Sequence, residues 1–392
     1  MNEVYILSYA RTPFGSFGGK LAGFTAPQLG SLAIKAAIER AGLQSDQINE
    51  VIFGNVMSAN LGQAPARQAA LGANIPNSVP CTTINKVCSS GMKSIMIGAQ
   101  SIMTGQNDIV IAGGMESMSN IPYYLDKARF GYKFGGGKLI DGMQRDGLSD
   151  AYGHNAMGVS SDLTAEKLNI SRQEQDRFAI QSYKRSAEAT EKGYLAEEIT
   201  PVSIPQRKGD PVIMNEDEEF RKVKFEKVGV LRPAFGREGT ATAANSSTIN
   251  DGAASVVLIS GKKLEELGLK PLAKILSFAD AAQEPKWFTT TPPSAARAAI
   301  NKAGLSISDI DFWEVNEAFA LVTLAFNQSL QLDESKVNVF GGAVSLGHPI
   351  GVSGTRITGT LANILKLKNG TYGCAAICNG GGGASSIVIQ KV

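Results

Sequence analysis

The octapeptide Ala36–Leu43, AAIERAGL, returns as Ala298–Leu305, AAINKAGL, at an offset of 262 residues. Ile48 and Ile310 keep the same offset. Each copy reads as an amphipathic helix closed by a C-cap glycine and followed by a strand, Glu50–Gly54 in one and Phe312–Val315 in the other. Ser90-Gly91-Met92-Lys93 aligns with Ser353-Gly354-Thr355-Arg356, one residue out of register, and each opens a helix. Ile109–Gly114 parallels Ala375–Gly380, and both read as buried strands running into glycine turns. A β/α unit that occurs twice this far apart predicts two similar α/β halves. At 392 residues the chain is also too long for one compact core.

Residues 120–248 are of another kind. They are richer in charge, proline and polar loops, with the acidic run Asn215–Glu219 and the basic residues Arg221, Lys222, Lys224 and Lys227. This segment reads as an inserted loop domain that covers one face of the first half. The first half then comprises residues 1–119 plus 249–270, and the second residues 271–392.

Bulk properties narrow the function classes. A net charge of +2 gives no electrostatic ground for a nucleic-acid partner. No apolar run reaches membrane-span length, and Met1–Leu7 reads as a strand, not a signal or transit sequence. The four cysteines (Cys81, Cys88, Cys374, Cys378) form no C-x-x-C pair. With two histidines in the chain, a structural zinc site is not expected. Free thiols fit a reducing compartment, so the expected location is the cytoplasm, with a mature organellar matrix form left open. The glycine clusters do not make a nucleotide site. A phosphate loop at Gly137-Lys138 would need glycine at Tyr132 and a hydroxyl residue at Leu139, and no G-x-G-x-x-G follows the first strand.

Chemistry is concentrated at four places. Cys88 lies in Asn85–Ser94, just ahead of apolar residues at Met92, Ile95, Met96, Ala99, Ile102 and Met103, which is helical spacing. At the first turn of a buried helix, a cysteine meets unpaired N–H groups and the positive dipole end, and both favour the thiolate. His348 precedes a proline and has glycines on both sides, so its backbone is extended and open to a ligand. Any imidazole chemistry must use it or His154, which sits in the polar stretch Ala151–Asn155 and reads as a surface residue. Cys378 ends an apolar strand directly before four glycines, a turn that presents N–H groups as an anion nest. Cys81 and Cys374 lack such a setting and read as structural. Asn316-Glu317 follows the second copy's strand, where α/β folds place ligands. Alone, the pair reads as a helix N-cap and a first-turn carboxylate.

Jointly, N-K-V-Cys88-x-S-G, Asn316-E-A-F, G-His348-P-x-G-x-S-G and Cys378-x-G-G-G resemble the thiolase family, in its order and across the whole chain. Cys378–Ser385 and Ala112–Asn120 are similar to its mitochondrial-type acetoacetyl-CoA branch in particular. The resemblance implies the thiolase fold, an α/β architecture of two βαβαβαββ halves in a five-layered α-β-α-β-α core. It implies an acyltransferase that condenses two acetyl-CoA to acetoacetyl-CoA and CoA, and reverses this by thiolysis, through an acyl-cysteine. In that reading Cys88 is the nucleophile, His348 takes its proton, and Cys378 serves as acid and base at the second substrate carbon. One oxyanion site is His348 with a water held by Asn316. The other is the N–H groups of Cys88 and Gly380.

Coenzyme A is then a substrate, and no prosthetic group is required. Alignment with the family marks Lys222, Val223, Lys227 and Ser247 as CoA contacts, and Met157, Phe288, Ala318 and Phe319 as acyl-pocket residues. The branch also binds potassium, at positions matching the Tyr183 hydroxyl and backbone oxygens of Ala243, Ala244, Ser246 and Val344. Hard oxygen donors suit that ion. A homotetramer built as a dimer of dimers is implied, with Tyr123–Gly142 resembling the tetramer-forming loop. Two positions depart from the pattern. Thr289 stands where the branch usually has proline, which bears on 2-methylacetoacetyl-CoA, and Ala156 stands where many relatives have histidine. One alternative is a broader 3-ketoacyl-CoA thiolase. Another is a catalytically silent acyl-CoA-binding protein of the same fold, which should have lost Cys88, His348 or Cys378; all three are present. A ketoacyl synthase would need a second histidine, or an asparagine, where this chain has Cys378.

Overall fold

The computed structural model describes residues 2–392. Nine strands build its frame: β1 Val4–Arg11, β2 Glu50–Gly54, β3 Cys81–Ile84, β4 Ile109–Ser117, β5 Asn250–Ser260, β6 Ala273–Ala282, β7 Phe312–Val315, β8 Tyr372–Asn379 and β9 Gly383–Lys391. They hydrogen-bond in the order β7-β8-β9-β6-β1-β5-β4-β2-β3, with a short Gly15–Ser16 arm on β5. The first half is β1-β5-β4-β2-β3 and the second is β6-β9-β8-β7. In each, parallel pairing at the outer side (β2 with β4, β7 with β8) gives way to antiparallel pairing further in. The halves meet where β1 and β6 pair over a short stretch, Val4–Ile6 against Ile275–Ala273. The strands marked by the repeat have the expected bounds. The helix before the first of them, Ala26–Ala41, ends at Gly42 in the left-handed conformation, φ 67°.

Alternation along the strands separates three cores. Ile109 and Ile111 pack outward among residues of the helices Ala26–Ala41 and Pro65–Gly72, while Val110 and Ala112 point the other way. On β8, Ala375 and Ile377 face inward, and Cys374, Ala376 and Cys378 face out toward the helices Pro292–Lys302 and Ala320–Leu330. Between the two halves of the sheet run the helices Ser90–Met103 and Ser353–Leu367. Their Met92, Ile95, Ile357 and Leu361 share one cluster with strands of both halves. This is the five-layered arrangement that the resemblance implies.

The central pair of helices positions the site. Residues Ser353 to Leu365 are all buried, so this helix is covered on every side. A Cβ on Gly91 would lie 2.6 Å from Thr355 Oγ1, and one on Gly354 would lie 2.3 Å from Met92 N. The two helix N-termini therefore touch, backbone against backbone, as only glycine permits. Cys88 lies just before one N-terminus and His348 just before the other. The duplicated Ser-Gly helix start thus brings residues 260 apart in sequence to one spot.

The segment 120–248 corrects the expectation of a cover over the first half. Its helices Met157–Leu168 and Arg172–Glu191 contribute Ala165 and Phe178 to the second half's outer core, joined by Ile170 between them. Ala179 and Tyr183 pack with Phe340, Val344 and Leu346. The hairpin Val202–Ile204 with Val212–Met214 does reach the first half, through Val202 and Met214. The apolar face of each helix decides where the segment docks, whereas charge content reports only the opposite face. A full capping box at Ser171 and Glu174 announces the longer helix in the sequence. Buried Arg11 on β1 ties the segment to the frame, with its guanidinium 2.7 Å from Glu198 and 2.7 Å from Asp217. Tyr123–Tyr124 pairs with Ile140–Asp141, and the loop between them leaves Phe130 and Phe134 almost fully in solvent. Among the described residues, no helix is long and apolar enough to cross a membrane.

Candidate active site

The nucleophile candidate sits on a strained elbow. β3 ends at Ile84, the helix starts at Ser90, and Val87 between them has φ 48°. A β-branched residue in the left-handed region costs about 1–3 kcal/mol and persists only when its surroundings enforce it. Here Asn85 Oδ1 accepts from Val87 N (2.9 Å), and Ser90 Oγ accepts from Lys86 N (2.8 Å) while donating to Val87 O (2.6 Å). Lys86 Nζ reaches across to the second half, to Asp280 (2.5 Å) and Ser385 Oγ (2.7 Å). Burial alone would push Asp280 up, but the hydrogen bonds from Lys86, Lys93 and Ser385 bring it down to about 2. The elbow is fastened to both halves.

Cys88 therefore precedes the helix by two residues and is not in its first turn. The expected stabilisation of a thiolate is overturned. Burial among Val56, Met57, Met118 and Ile350 pushes the thiol up to about 11. The N–H groups of Gly380 and of Cys88 itself oppose this, and the negative charge of Glu116 adds to it. At neutral pH the group is a thiol.

His348 is buried in the loop before the helix Ser353–Leu367. Its main-chain N–H donates to Asn250 Oδ1 (2.9 Å), and Nδ1 lies 2.6 Å from Ser353 Oγ. The Ser353 hydroxyl donates to Pro349 O (3.2 Å), so Nδ1–H donates to Ser353 and Nε2 is left as the acceptor. Nε2 faces Asn316 Nδ2 at 3.5 Å. Burial, then the charge of Arg356, lowers the imidazole to about 3, so it is neutral at pH 7. Asn316 is no N-cap: the next helix begins at Ala320, and Asn316 Oδ1 is buried without a protein partner. Glu317 is also buried, accepting from Ser182 Oγ (2.7 Å), Asn338 Nδ2 (2.8 Å) and Val344 N (3.1 Å).

Cys378 is buried at the end of β8. Burial and then the proximity of Cys88 hold its thiol well above the ordinary cysteine value. The glycines after it take φ 83° and 87° at Gly381 and Gly382. These turns bring the Gly380 N–H to the Cys88 thiol. Cys374 is buried against Ser386 Oγ, Cys81 is half-buried on an edge strand and His154 is exposed, in line with their expected structural and surface roles.

Two cavities adjoin the cluster. The inner one, about 190 Å³, is lined by His348, Met157, Phe319 and Ser247, with Leu148, Phe235, Ser246, Thr248 and Ile350. The outer one, about 300 Å³, holds Lys222, Val223 and Lys227 with Tyr183, Ala243 and Ala244. Thr248 lines both, so the basic cavity leads toward the apolar one. Ser247 N and Oγ both donate to Ala318 O (3.0 and 2.9 Å), which fixes Ser247 at the inner wall, with Ala318 behind it and outside the lining. Phe288 differs from expectation. It is buried in the second half's outer core with Phe319 and is not part of the cavity lining. Val344 packs beside Tyr183, and Ser246 Oγ is buried without a partner.

Two family descriptions match nearly the whole chain: Thiolase, N-terminal domain, over residues 4–262, and Thiolase, C-terminal domain, over residues 269–391. The chain belongs to the thiolase family. An acetyl-CoA acetyltransferase of Schizosaccharomyces pombe is 54% identical over 100% of this chain and 99% of its own length. A mitochondrial acetyl-CoA acetyltransferase of Danio rerio is 54% identical over 100% of this chain and 92% of its own. A thiolase of Ascaris suum, crystallised in complex with coenzyme A, superposes with a TM-score of 0.95 at 47% identity, each chain covered completely.

This thiolase also places residues at the site that its sequence does not announce. Ser353 and Asn250 orient His348, Phe235 walls the inner cavity and stands edge-on to Phe319 at 5.9 Å, and Asn85 holds the elbow. Asn85 and Ser353 lie inside motifs already singled out. Asn250 and Phe235 carry no local signal, because only the fold brings them to the site.

Proposed function

We propose that this thiolase is an acetyl-CoA C-acetyltransferase that condenses two acetyl-CoA to acetoacetyl-CoA and CoA, and cleaves acetoacetyl-CoA in reverse. The observation that carries the reading is that His348, which lines a small apolar cavity, faces Asn316 at 3.5 Å, while Cys378 lies close enough to Cys88 for its thiol to be raised by it. The cavity's volume of about 190 Å³ is below the usual range for drug-sized ligands, which supports short acyl groups over long ones. The reading also draws on the names of the relatives.

In the first half-reaction, Cys88 Sγ attacks the thioester carbon. Both thiol and imidazole are neutral at rest, so His348 Nε2 takes the proton as the carbon–sulfur bond forms. The oxyanion is met by the Cys88 and Gly380 N–H groups. The bond to the CoA sulfur then breaks. Cys378, a neutral thiol at rest, protonates the departing sulfur and is left as a thiolate. In the second half-reaction that thiolate removes a methyl proton from a second acetyl-CoA. Its enolate oxygen is met by His348 and a water on Asn316. The carbanion attacks the acyl group, and the Cys88 sulfur leaves and recovers its proton from His348.

The outer cavity, with Lys222 and Lys227, suits the CoA phosphates, and Val223 and Ser247 suit the pantetheine arm. Potassium fits beside it. The Tyr183 hydroxyl, the carbonyls of Ala243, Ala244, Ser246 and Val344, and the unpartnered Ser246 Oγ are hard oxygen donors. Tyr183 is raised by burial and then by Glu219 and Glu317, whose negative field also attracts a cation. Bound there, the ion would order the CoA loop. The division into 1–119 plus 249–270, 120–248 and 271–392 belongs to this proposal, with the middle part supplying the CoA contacts. Four free thiols fit a reducing compartment such as the cytoplasm.

Loss of acetoacetyl-CoA absorbance on adding CoA tests the reading, with 2-methylacetoacetyl-CoA and a longer 3-oxoacyl-CoA as companions. We expect turnover of acetoacetyl-CoA, slower turnover of the longer substrate, and faster initial rates in potassium than in sodium at equal ionic strength. No turnover of any of the three would end the enzymatic reading, and equal rates in the two salts would end the potassium proposal.

The assembly proposed is a homotetramer. Phe130, Phe134, Leu125 and Leu139 all project from the loop after Tyr124, an apolar cluster of the kind that marks a contact between proteins. Sedimentation velocity is expected to give a tetramer, and a stable dimer with the loop intact would contradict it.

A further inference from the structure

Glu116 lies near the end of β4, with no exposed surface. No lysine, arginine or histidine pairs with it among the described residues. Such a buried carboxylate is costly unless hydrogen bonds replace its water. Four donors do so. Oε2 accepts from Val56 N (3.0 Å) and Gly351 N (2.9 Å), and Oε1 accepts from Met57 N (3.1 Å) and Asn55 Nδ2 (2.9 Å).

One donor belongs to the His348 loop, and the other three belong to the loop Asn55–Met57 that packs on the Cys88 elbow. Gly351 closes the loop of His348. Its carbonyl oxygen lies where a Cβ on Gly54, Gly91 or Gly114 would stand, at 2.9, 3.0 and 2.0 Å, so three glycines of the first half cradle it. Val56 leads to the elbow. Its carbonyl accepts from Asn85 Nδ2 (3.2 Å), and Asn85 Oδ1 holds Val87 N on the Cys88 elbow (2.9 Å). Val56, Met57 and Ile350 also pack around the Cys88 side chain.

We infer that Glu116 is a positioning residue for acetyl transfer: its carboxylate fastens the His348 loop to the Cys88 elbow and sets the distance between imidazole and sulfur. The inference rests on the roles proposed above for Cys88 and His348. Nothing in it requires Glu116 to touch substrate.

Glu116→Gln keeps the shape but turns an amide NH2 toward two N–H donors: at the Oε2 position the Gly351 and Val56 anchors are lost, and at the Oε1 position those of Met57 and Asn55. In full-length protein, kcat for acetoacetyl-CoA thiolysis should fall about 10–100-fold, with KM for both substrates within about threefold. The rate is counted per Cys88 that acetyl-CoA acetylates in the first turnover. A purely structural role would lower the melting temperature and the number of active chains but leave kcat per active chain unchanged. Asn55→Ala keeps the carboxylate and removes one donor, and should show the same split at about 3–10-fold. It carries the test if the glutamine variant does not fold. Wild-type kcat per active chain in Glu116→Gln, or in Asn55→Ala where that variant stands in, overturns the inference. Full activity in His348→Ala would instead overturn the reading on which it rests, whatever Glu116 does.

Discussion

Cys88→Ala is expected to lower kcat for acetoacetyl-CoA thiolysis at least about 10⁴-fold while CoA still binds. The size of the loss follows from the geometry. Cys88 is the sulfur whose thiolate the N–H groups of Gly380 and of Cys88 itself favour, and it stands on an elbow braced from both halves. Cys378 shares the site but lies fully buried at the end of a strand, where burial and the proximity of Cys88 hold its thiol well above the ordinary value. It is not expected to substitute as the nucleophile. The CoA contacts proposed above lie in the outer cavity with Lys222 and Lys227, so affinity should survive the loss of the thiol. The check is steady-state turnover beside calorimetric CoA binding. Retention of more than about a hundredth of wild-type kcat would move the nucleophile elsewhere.

Cys378→Ala should separate the two half-reactions. Acetyl-CoA still acylates Cys88, because the nucleophile, the His348 base and the Gly380 N–H remain. Carbon–carbon bond formation falls about 10³-fold or more, since no group is left to take the methyl proton. Rapid-quench measurements should show acetyl-enzyme accumulating, slowed by the lost protonation of departing CoA, and then persisting with acetyl-CoA in excess. Condensation at the wild-type rate would remove Cys378 from the second half-reaction. Loss of acylation by the same factor as condensation would merge its role with that of Cys88.

Much of this arrangement is legible in the chain because it is local. The repeated Ala-Ala-Ile and Ser-Gly segments mark where each half starts its helices, and Gly91 and Gly354 are where those helices touch. Cys88, Asn316, His348 and Cys378 each sit in a short distinctive motif, so their neighbours in sequence announce them. What stays hidden depends on partners far along the chain. Val87 takes a left-handed backbone that valine itself disfavours, and only Asn85, Ser90 and the Lys86 anchor enforce it. The Cys88 thiol is raised by apolar neighbours, which no helix rule anticipates. Glu116 sits near the end of the largely apolar strand Ile109–Ser117 as an ordinary polar residue, and its four donors come from two distant loops. The segment 120–248 reads as charged loop because charge marks the solvent face, while Phe178, Ala179 and Tyr183 set where it packs.

The most direct test is to find where the acetyl group goes. Wild-type protein mixed with acetyl-CoA, quenched in acid within the first turnover and mapped by peptide mass, should carry one acetyl group per chain on the peptide containing Cys88. An acetyl group found on Cys378 or on any other residue, or full turnover with Cys88 never acetylated, would contradict the account.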